Sequence, residues 1–268
     1  MRVASLPMYD LPELRAATDA LWAGVGRALA ARGVAEIPSA LCRDRALPSV
    51  WLDPDLLLSQ TCGYPLVRAL AGRVQIVATP RYRVPLCQGS WYRSVVVVPR
   101  DSTAGSLADL AGSVCAVNEP DSHSGMNGLR ALVAPLAGGR RFFRRVVWTG
   151  AHRASLELVA HGQADLAAID CVSLALFERA LPELVERVRP IDATAPCPGL
   201  PIITRGEASA GELASMRAAL ADVERDPDLA APRDALLLDS FEVLSAEVYQ
   251  RVDELEAEAA RLGYPELA

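Results

Sequence analysis

The apolar positions of this chain fall into short runs separated by turn-forming residues. Residues 3–8 form a first run of strand length, and further runs lie at 56–58, 74–78, 95–98, 114–117, 146–148, 166–169 and 202–204. Runs that are continuous rather than alternating predict strands covered on both faces, as in doubly wound parallel sheets. Between them the apolar period changes to three and four. Leu14, Ala17, Leu21, Val25, Ala28 and Leu29 mark an amphipathic helix, introduced by the capping-box spacing of Asp10 and Glu13 and closed at Gly33. Met126, Leu129, Leu132, Val133 and Leu136 mark a second helix, and Leu156, Val159 and Ala160 a third that ends at Gly162. Ser209 and Glu212 repeat the capping box before another helix, and Val248, Val252, Leu255, Ala259 and Leu262 mark the last. Strands and helices alternate, so the pattern predicts an α/β fold with a mostly helical C-terminal quarter. No internal repeat or long linker interrupts it, and 93–99 and 198–204 are the segments expected to cross between domains.

Composition narrows the function. The 268 residues make one large or two modest domains at about 150 residues each. A hydrophobic fraction of 51% with 22% charged residues excludes disorder and an isolated coiled coil. The net charge of -6 argues against a general nucleic-acid binder while leaving a small anionic ligand open. All 27 basic residues are arginine, which removes Schiff-base and P-loop lysine chemistry. No apolar run approaches the ~20 residues of a membrane span. Pro7, Tyr9 and Asp10 interrupt the start before a signal-peptide core forms, so the expected location is periplasmic if a leader was trimmed and otherwise cytoplasmic. Cys42, Cys62, Cys87, Cys115, Cys171 and Cys197 include no C-x-x-C pair, which disfavours a local zinc site. They read as buried thiols, with Cys62 and Cys87 the pair to test for a disulfide.

The strongest chemical signal lies in 114–128, where an apolar run leads through Asn118-Glu-Pro-Asp121-Ser122-His123-Ser124-Gly125 into a helix. Two hydroxyls and a glycine at a helix N-terminus gather side-chain donors, unpaired backbone N–H groups and the positive end of the dipole around one point. A phosphate, phosphonate or carboxylate fits there; the same serines also read as plain helix caps. Other polar residues come just after apolar runs, the place where open α/β sheets bind ligands: Gln60, Thr61 and Tyr64 after 56–58, His152 after 146–148, and Asp170 after 166–169. Tyr9 and Tyr92 each offer a hydroxyl and an aromatic wall. His152 also reads as a capping or packing histidine, Asp170 as the cap of a helix from Cys171, and His161 as a surface residue. The chain has no G-x-S-x-G elbow, no G-x-G-x-x-G after a strand and no H-E-x-x-H, so no catalytic residue, cofactor or metal is expected.

With these residues laid out, the chain resembles the substrate-binding proteins of phosphate, phosphite and phosphonate ABC transporters, a branch of the type II periplasmic binding protein superfamily. The resemblance rests on Ser5-Leu-Pro-Met-Tyr9-Asp10, Ser59-Gln60-Thr61-Cys62-Gly63-Tyr64-Pro65, Tyr92-Arg-Ser, Asn118-Glu-Pro-Asp-Ser122-His-Ser124-Gly125, Thr149-Gly-Ala-His152 and Gly162-Gln-Ala-Asp165. It implies a two-lobed type II periplasmic binding protein fold, two α/β sheets joined by two crossing strands, with lobe 1 at 1–93 and 201–268 and lobe 2 at 94–200. It further implies a small phosphorus oxyanion held between the lobes. Ser122, His123, Ser124 and Gly125 would grip it, with Tyr92, His152 and Asp170 lining the same side and Tyr9, Gln60, Thr61 and Tyr64 closing from the other. A monomer working with an ABC permease or a sensor kinase, without nucleic acid, membrane insertion or catalysis, completes the expectation. Two alternatives stay open: a cytoplasmic enzyme of this fold acting on a small carboxylate-bearing substrate, as in menaquinone biosynthesis, and an anion-sensing regulatory protein.

Overall fold

The structure, a computed structural model, describes residues 2–268. From the start the elements are β1 (Val3–Ser5), α1 (Arg15–Ala31), α2 (Leu47–Trp51), β2 (Leu56–Gln60), α3 (Gly63–Val67), β3 (Val74–Tyr82), β4 (Trp91–Tyr92), β5 (Ser94–Pro99) and β6 (Val114–Val117). A π-type turn over His123–Asn127 leads into α4 (Gly128–Ala137), then β7 (Arg145–Trp148), α5 (His152–Ala160), β8 (Leu166–Asp170), α6 (Cys171–Ala180), α7 (Pro182–Val185) and β9 (Val188–Ala193). The remainder is β10 (Cys197–Pro198), β11 (Ile202–Arg205), α8 (Ala210–Arg225), α9 (Ala230–Ala235), β12 (Leu238–Glu242) and α10 (Gln250–Arg261).

The chain divides into two compact units. The first comprises the chain up to Ser90 together with Pro198–Val248, and the second comprises Trp91–Cys197 with Tyr249–Ala268. The last twenty residues therefore belong to the second unit, whereas the sequence reading placed all of 201–268 in the first. The reason is burial: the apolar stripe Val252, Leu255 and Ala259 of α10 is fully covered, and α10 packs on α4. Where the chain leaves and re-enters the first unit, β4 and β10 pair in a two-stranded ladder.

In the first unit five strands lie in the order β1-β2-β11-β3-β12. Only β1 and β2 are parallel; β11 runs antiparallel to both β2 and β3, and β12 antiparallel to β3. The helices α1 and α8 cover this sheet with Leu21, Trp22, Val25 and Leu29 from one and Met216, Leu220 and Val223 from the other. A Cβ on Gly24 would fall 2.4 Å from the side chain of Leu229, so glycine inside α1 permits the approach of the 229–235 segment. The expected cap at Asp10 does not form: α1 is preceded by a 3-10 turn, and the Asp10 carboxylate binds Arg43 instead. The capping box of Ser209 and Glu212 at the start of α8 does form.

The second unit repeats the plan with the order β7-β6-β8-β5-β9. Here β6 is parallel to β7 and β8, while β5 runs antiparallel to β8 and β9. Both sheets are thus mixed rather than purely parallel. Leu129, Val133, Leu156 and Leu176 on the helices and Val96, Cys115, Ala116, Leu166 and Ile169 on the strands are fully buried, consistent with a sheet covered on both faces. Cys62, Cys115, Cys171 and Cys197 are buried thiols as expected, Cys42 and Cys87 are only partly buried, and Cys62 and Cys87, the pair to test, are not bridged. Among the described residues no helix is long and apolar enough to cross a membrane.

Candidate functional site

The site is built at the C-terminal end of β6. After Val117 the chain turns through 118–122, and Ser122, in an extended conformation, caps the next turn by accepting a hydrogen bond from Gly125 N at 3.1 Å. That turn is wider than an α-helical one: Asn127 N donates to Ser122 O at 3.0 Å, five residues back, and Gly128 N to His123 O. This widening leaves Ser122 Oγ and Ser124 Oγ 3.4 Å apart on one side. Ser124 Oγ lies 2.7 Å from His152 Nε2, which enters from the first turn of α5 after β7. A Cβ on Gly125 would fall 1.9 Å from Asn118 Oδ1 and 3.4 Å from His152 Cε1, so glycine is required for the amide and the imidazole to lie over the turn.

Electrostatics keep both imidazoles neutral. Burial lowers the pKa of His152 to about 4, against a hydrogen bond with the Ala168 backbone that raises it. His123 is likewise lowered to about 4, first by burial and then by the positive charges of Arg251 and Arg130. Asn118 Oδ1 is shielded from solvent and has no hydrogen bond within the described residues. A buried polar atom left unsatisfied costs about 1–3 kcal/mol, which a ligand can recover.

Behind the serines lies a second network that sequence reasoning missed. Asn127 is completely buried; its Oδ1 accepts from Arg130 Nη2 at 2.5 Å, and its Nδ2 donates to Val252 O of α10 at 3.0 Å. Because a guanidinium can only donate, this fixes the orientation of the amide. Nδ2 therefore also faces His123 Nδ1, at 3.2 Å, as the donor, which puts the His123 proton on Nε2. Arg130 in turn donates to Pro265 O at 2.6 Å and pairs with Glu256 at 3.3 Å. The turn is thus tied to 249–268 through Asn127 and Arg130.

The structure brings together Ser122, Ser124, Gly125 and His152. His123 points to the bracing side, where its ring meets Tyr92 edge-on at 6.3 Å. Asp170 is buried and caps α6, accepting from Val172 N at 2.7 Å and Ser173 N at 3.1 Å. The remaining four expected residues belong to the first unit. Tyr9 stacks edge-on with Tyr82 at 5.1 Å, and Tyr64 faces the Arg68 guanidinium at 5.6 Å. Gln60 donates to Leu200 O at 3.1 Å and Thr61 to Cys62 O at 3.3 Å. Tyr9 and Gln60 line an apolar cavity of about 60 Å³ with Trp22, Tyr82 and Phe241, and no charged side chain borders it. Among the described residues no cluster of three histidine, cysteine or acidic side chains is placed to hold a metal ion.

Comparison with known proteins supplies the context for this geometry. Residues 53–249 match the sequence profile of the family described as ABC transporter, phosphonate, periplasmic substrate-binding protein. No curated protein sequence matches the chain. Among solved structures, a binding protein component of an ABC phosphonate transporter from Pseudomonas aeruginosa superposes with a TM-score of 0.76 at 15% identity, over 97% of this chain and 87% of that one. PhnD1 of Prochlorococcus marinus, in complex with methylphosphonate, gives 0.74 at 14% identity over 97% and 98% of the two chains. A Xanthomonas citri protein bound to chloride ion gives 0.73 at 16% identity over the same shares. At these identities the structural likeness establishes the two-lobed periplasmic binding protein fold, while the profile, spanning most of the chain, establishes the lineage. The chain belongs to the family of periplasmic substrate-binding proteins of phosphonate ABC transporters, and its role is solute binding for such transport.

Proposed function

We propose that the protein captures a small phosphorus oxyanion, an organic phosphonate in the first instance, and presents it to an ABC permease from the periplasm as a monomer without transforming it. The observation that carries this reading is the convergence of Ser122 Oγ, Ser124 Oγ and His152 Nε2 at the helix start that opens with Gly125. Hydroxyls, the dipole and a neutral imidazole together suit a tetrahedral anion, since charge-assisted hydrogen bonds to its oxygens are the strong kind. Asn118 Oδ1, an acceptor with no donor of its own, suits a ligand that retains a proton on one oxygen. Tyr92 and Asp170 belong to the same unit and complete the proposal on this side. Tyr9, Gln60, Thr61 and Tyr64 are assigned by resemblance alone.

One feature favours the enzyme alternative: Ser124 and His152 stand at the distance of a nucleophile and its base. Two observations weigh against it. No carboxylate orients His152 through Nδ1, and a ring with a pKa near 4 is a weak base at neutral pH. Calorimetric titration with methylphosphonate, aminoethylphosphonate, phosphate, phosphite, sulfate and small aromatic carboxylates tests the reading, with phosphorus NMR of the same mixtures as a check for turnover. Tight binding of one phosphorus oxyanion, recovered unchanged, is the expected result. Binding of a carboxylate alone, or a new phosphorus resonance, overturns it.

A further inference from the structure

The opposite end of the second unit's sheet carries a different surface. Just before β6 and β7 begin, the segments 111–112 and 140–144, with the end of α4, surround a concavity of about 350 Å³. Arg140, Arg141 and Arg144 line it, with Leu136 on its rim and Phe142 beneath. With Arg145 these make four arginines in the six residues 140–145, all four exposed. Among the described residues none of the four has an ion-pair partner. That contrasts with the rest of a chain in which acids outnumber bases 33 to 27, and in which Arg32, Arg43, Arg45, Arg83 and Arg205 each face a carboxylate.

The cluster is also partly fixed in place. Arg141 donates from Nε to Phe143 O at 2.8 Å and from Nη2 to Arg144 O at 2.7 Å, so its guanidinium is held by its own turn rather than waving in solvent. A pre-placed guanidinium loses less freedom when an anion arrives. Leu136, at 47% exposure, adds apolar surface to the rim. The concavity is also separate from the serine site. β6 runs from Val114 at this end to Val117 at the other, a rise of roughly 10 Å, so the two sit at opposite ends of one strand.

We propose that this concavity is a second anion site that takes phosphate groups carrying two or more negative charges between them, on one molecule or on neighbouring headgroups. Guanidinium forks match phosphate oxygens, three of them around one hollow call for more than one negative charge, and the volume lies in the range of small-ligand pockets. The phosphates could be supplied by an anionic phospholipid surface or by a soluble polyphosphate, and the experiment separates these sources. The full chain and the variants Arg140→Gln/Arg144→Gln and Ser124→Ala are titrated with inorganic tripolyphosphate, and each is floated with vesicles of phosphatidylglycerol or of phosphatidylcholine alone. The expected result is one tripolyphosphate bound per chain, or retention on phosphatidylglycerol vesicles only. Either should weaken at least about tenfold in the double arginine variant, weaken with added salt, and persist in Ser124→Ala. Binding to tripolyphosphate without vesicles assigns the soluble source, and the converse assigns the membrane. Binding of neither probe, or binding that the double arginine variant leaves intact, overturns the proposal. Methylphosphonate affinity, read in the same proteins, should ignore the arginine changes, so failure of this site and failure of the phosphonate reading give different patterns.

Discussion

Each unit sends a central strand into a short polar turn and then a helix, and the two turns look alike as sequence. After β2 come Thr61, Cys62 and Gly63; after β6 come Asn118 to Gly125. Their hydrogen bonds separate them. In the first unit Gln60 Nε2 is committed to Leu200 O, Thr61 Oγ1 to Cys62 O and Thr61 N to Pro201 O, and α3 begins with no side-chain cap at all. In the second unit the serines and His152 engage one another, while Asn118 Oδ1 stays buried without a partner among the described residues. The lesson is one of accounting: the first turn spends its donors and acceptors within its own chain, whereas the second leaves a buried polar atom outstanding.

The contrast can be broken most severely from behind. Arg130→Met removes the guanidinium that satisfies Asn127 Oδ1 and Pro265 O and faces Glu256 in a nearly closed environment. Leaving those groups unpaired should cost about 3 kcal/mol, read as the loss of unfolding free energy in urea, whereas Arg130→Lys should recover only part of it. A loss below about 1 kcal/mol would show that the brace contributes nothing.

Next in size is the pH response. His123 and His152 titrate near 4 when folded and near 6.5 when unfolded, so below pH 6.5 the unfolded chain binds more protons. Stability should therefore be complete above about pH 6.5 and fall as the pH drops toward 4, by about 2 kcal/mol or more at pH 4.5. His123→Asn should remove about half of that slope. A slope that the substitution leaves unchanged would assign the acid sensitivity to the carboxylates.

The second unit's side of the comparison is sharpened by Ser124→Ala. It should weaken phosphonate binding by about 1.5–3 kcal/mol through loss of one charge-assisted hydrogen bond, while the melting temperature without ligand stays within a few degrees. Equal affinity by calorimetry would remove Ser124 from the grip. The smallest effect is expected in the first unit's turn, where Gln60→Leu should cost about 1 kcal/mol of stability by stranding the Leu200 carbonyl. A large change in phosphonate affinity with no change in stability would assign Gln60 to the ligand instead.

Legibility in the sequence tracks the range of the interactions involved. Ser209 and Glu212 make their capping box within three residues, and Ser122 caps Gly125 N across the same span, so both were visible as local spacing. The Asp10 cap had the same spacing and failed, because Arg43, 33 positions later, takes the carboxylate. The strands β9 and β12 lie at sheet edges and carry Arg189 and Asp192, or Asp239 and Ser240, within them, so their polar alternation hid them among the loops. Asn127 and Arg130 sat inside a plain helical pattern. Nothing near them announces partners 125 and 135 residues away, and the assignment of 249–268 to the wrong unit had the same cause.

The widened turn over His123–Asn127 has a consequence for how this site can change over time. An α-helix advances about 100° per residue, so one extra residue in its first turn shifts the angular phase of every later residue by about that amount. Ser124 reaches His152 while Asn127, three residues on, reaches α10, and both depend on that offset being kept. Deleting one residue between 123 and 127 would turn the helix back into phase and swing Asn127 away from Val252. The spacing of the site is therefore counted in whole residues, and a change of length here would misplace two contacts at once.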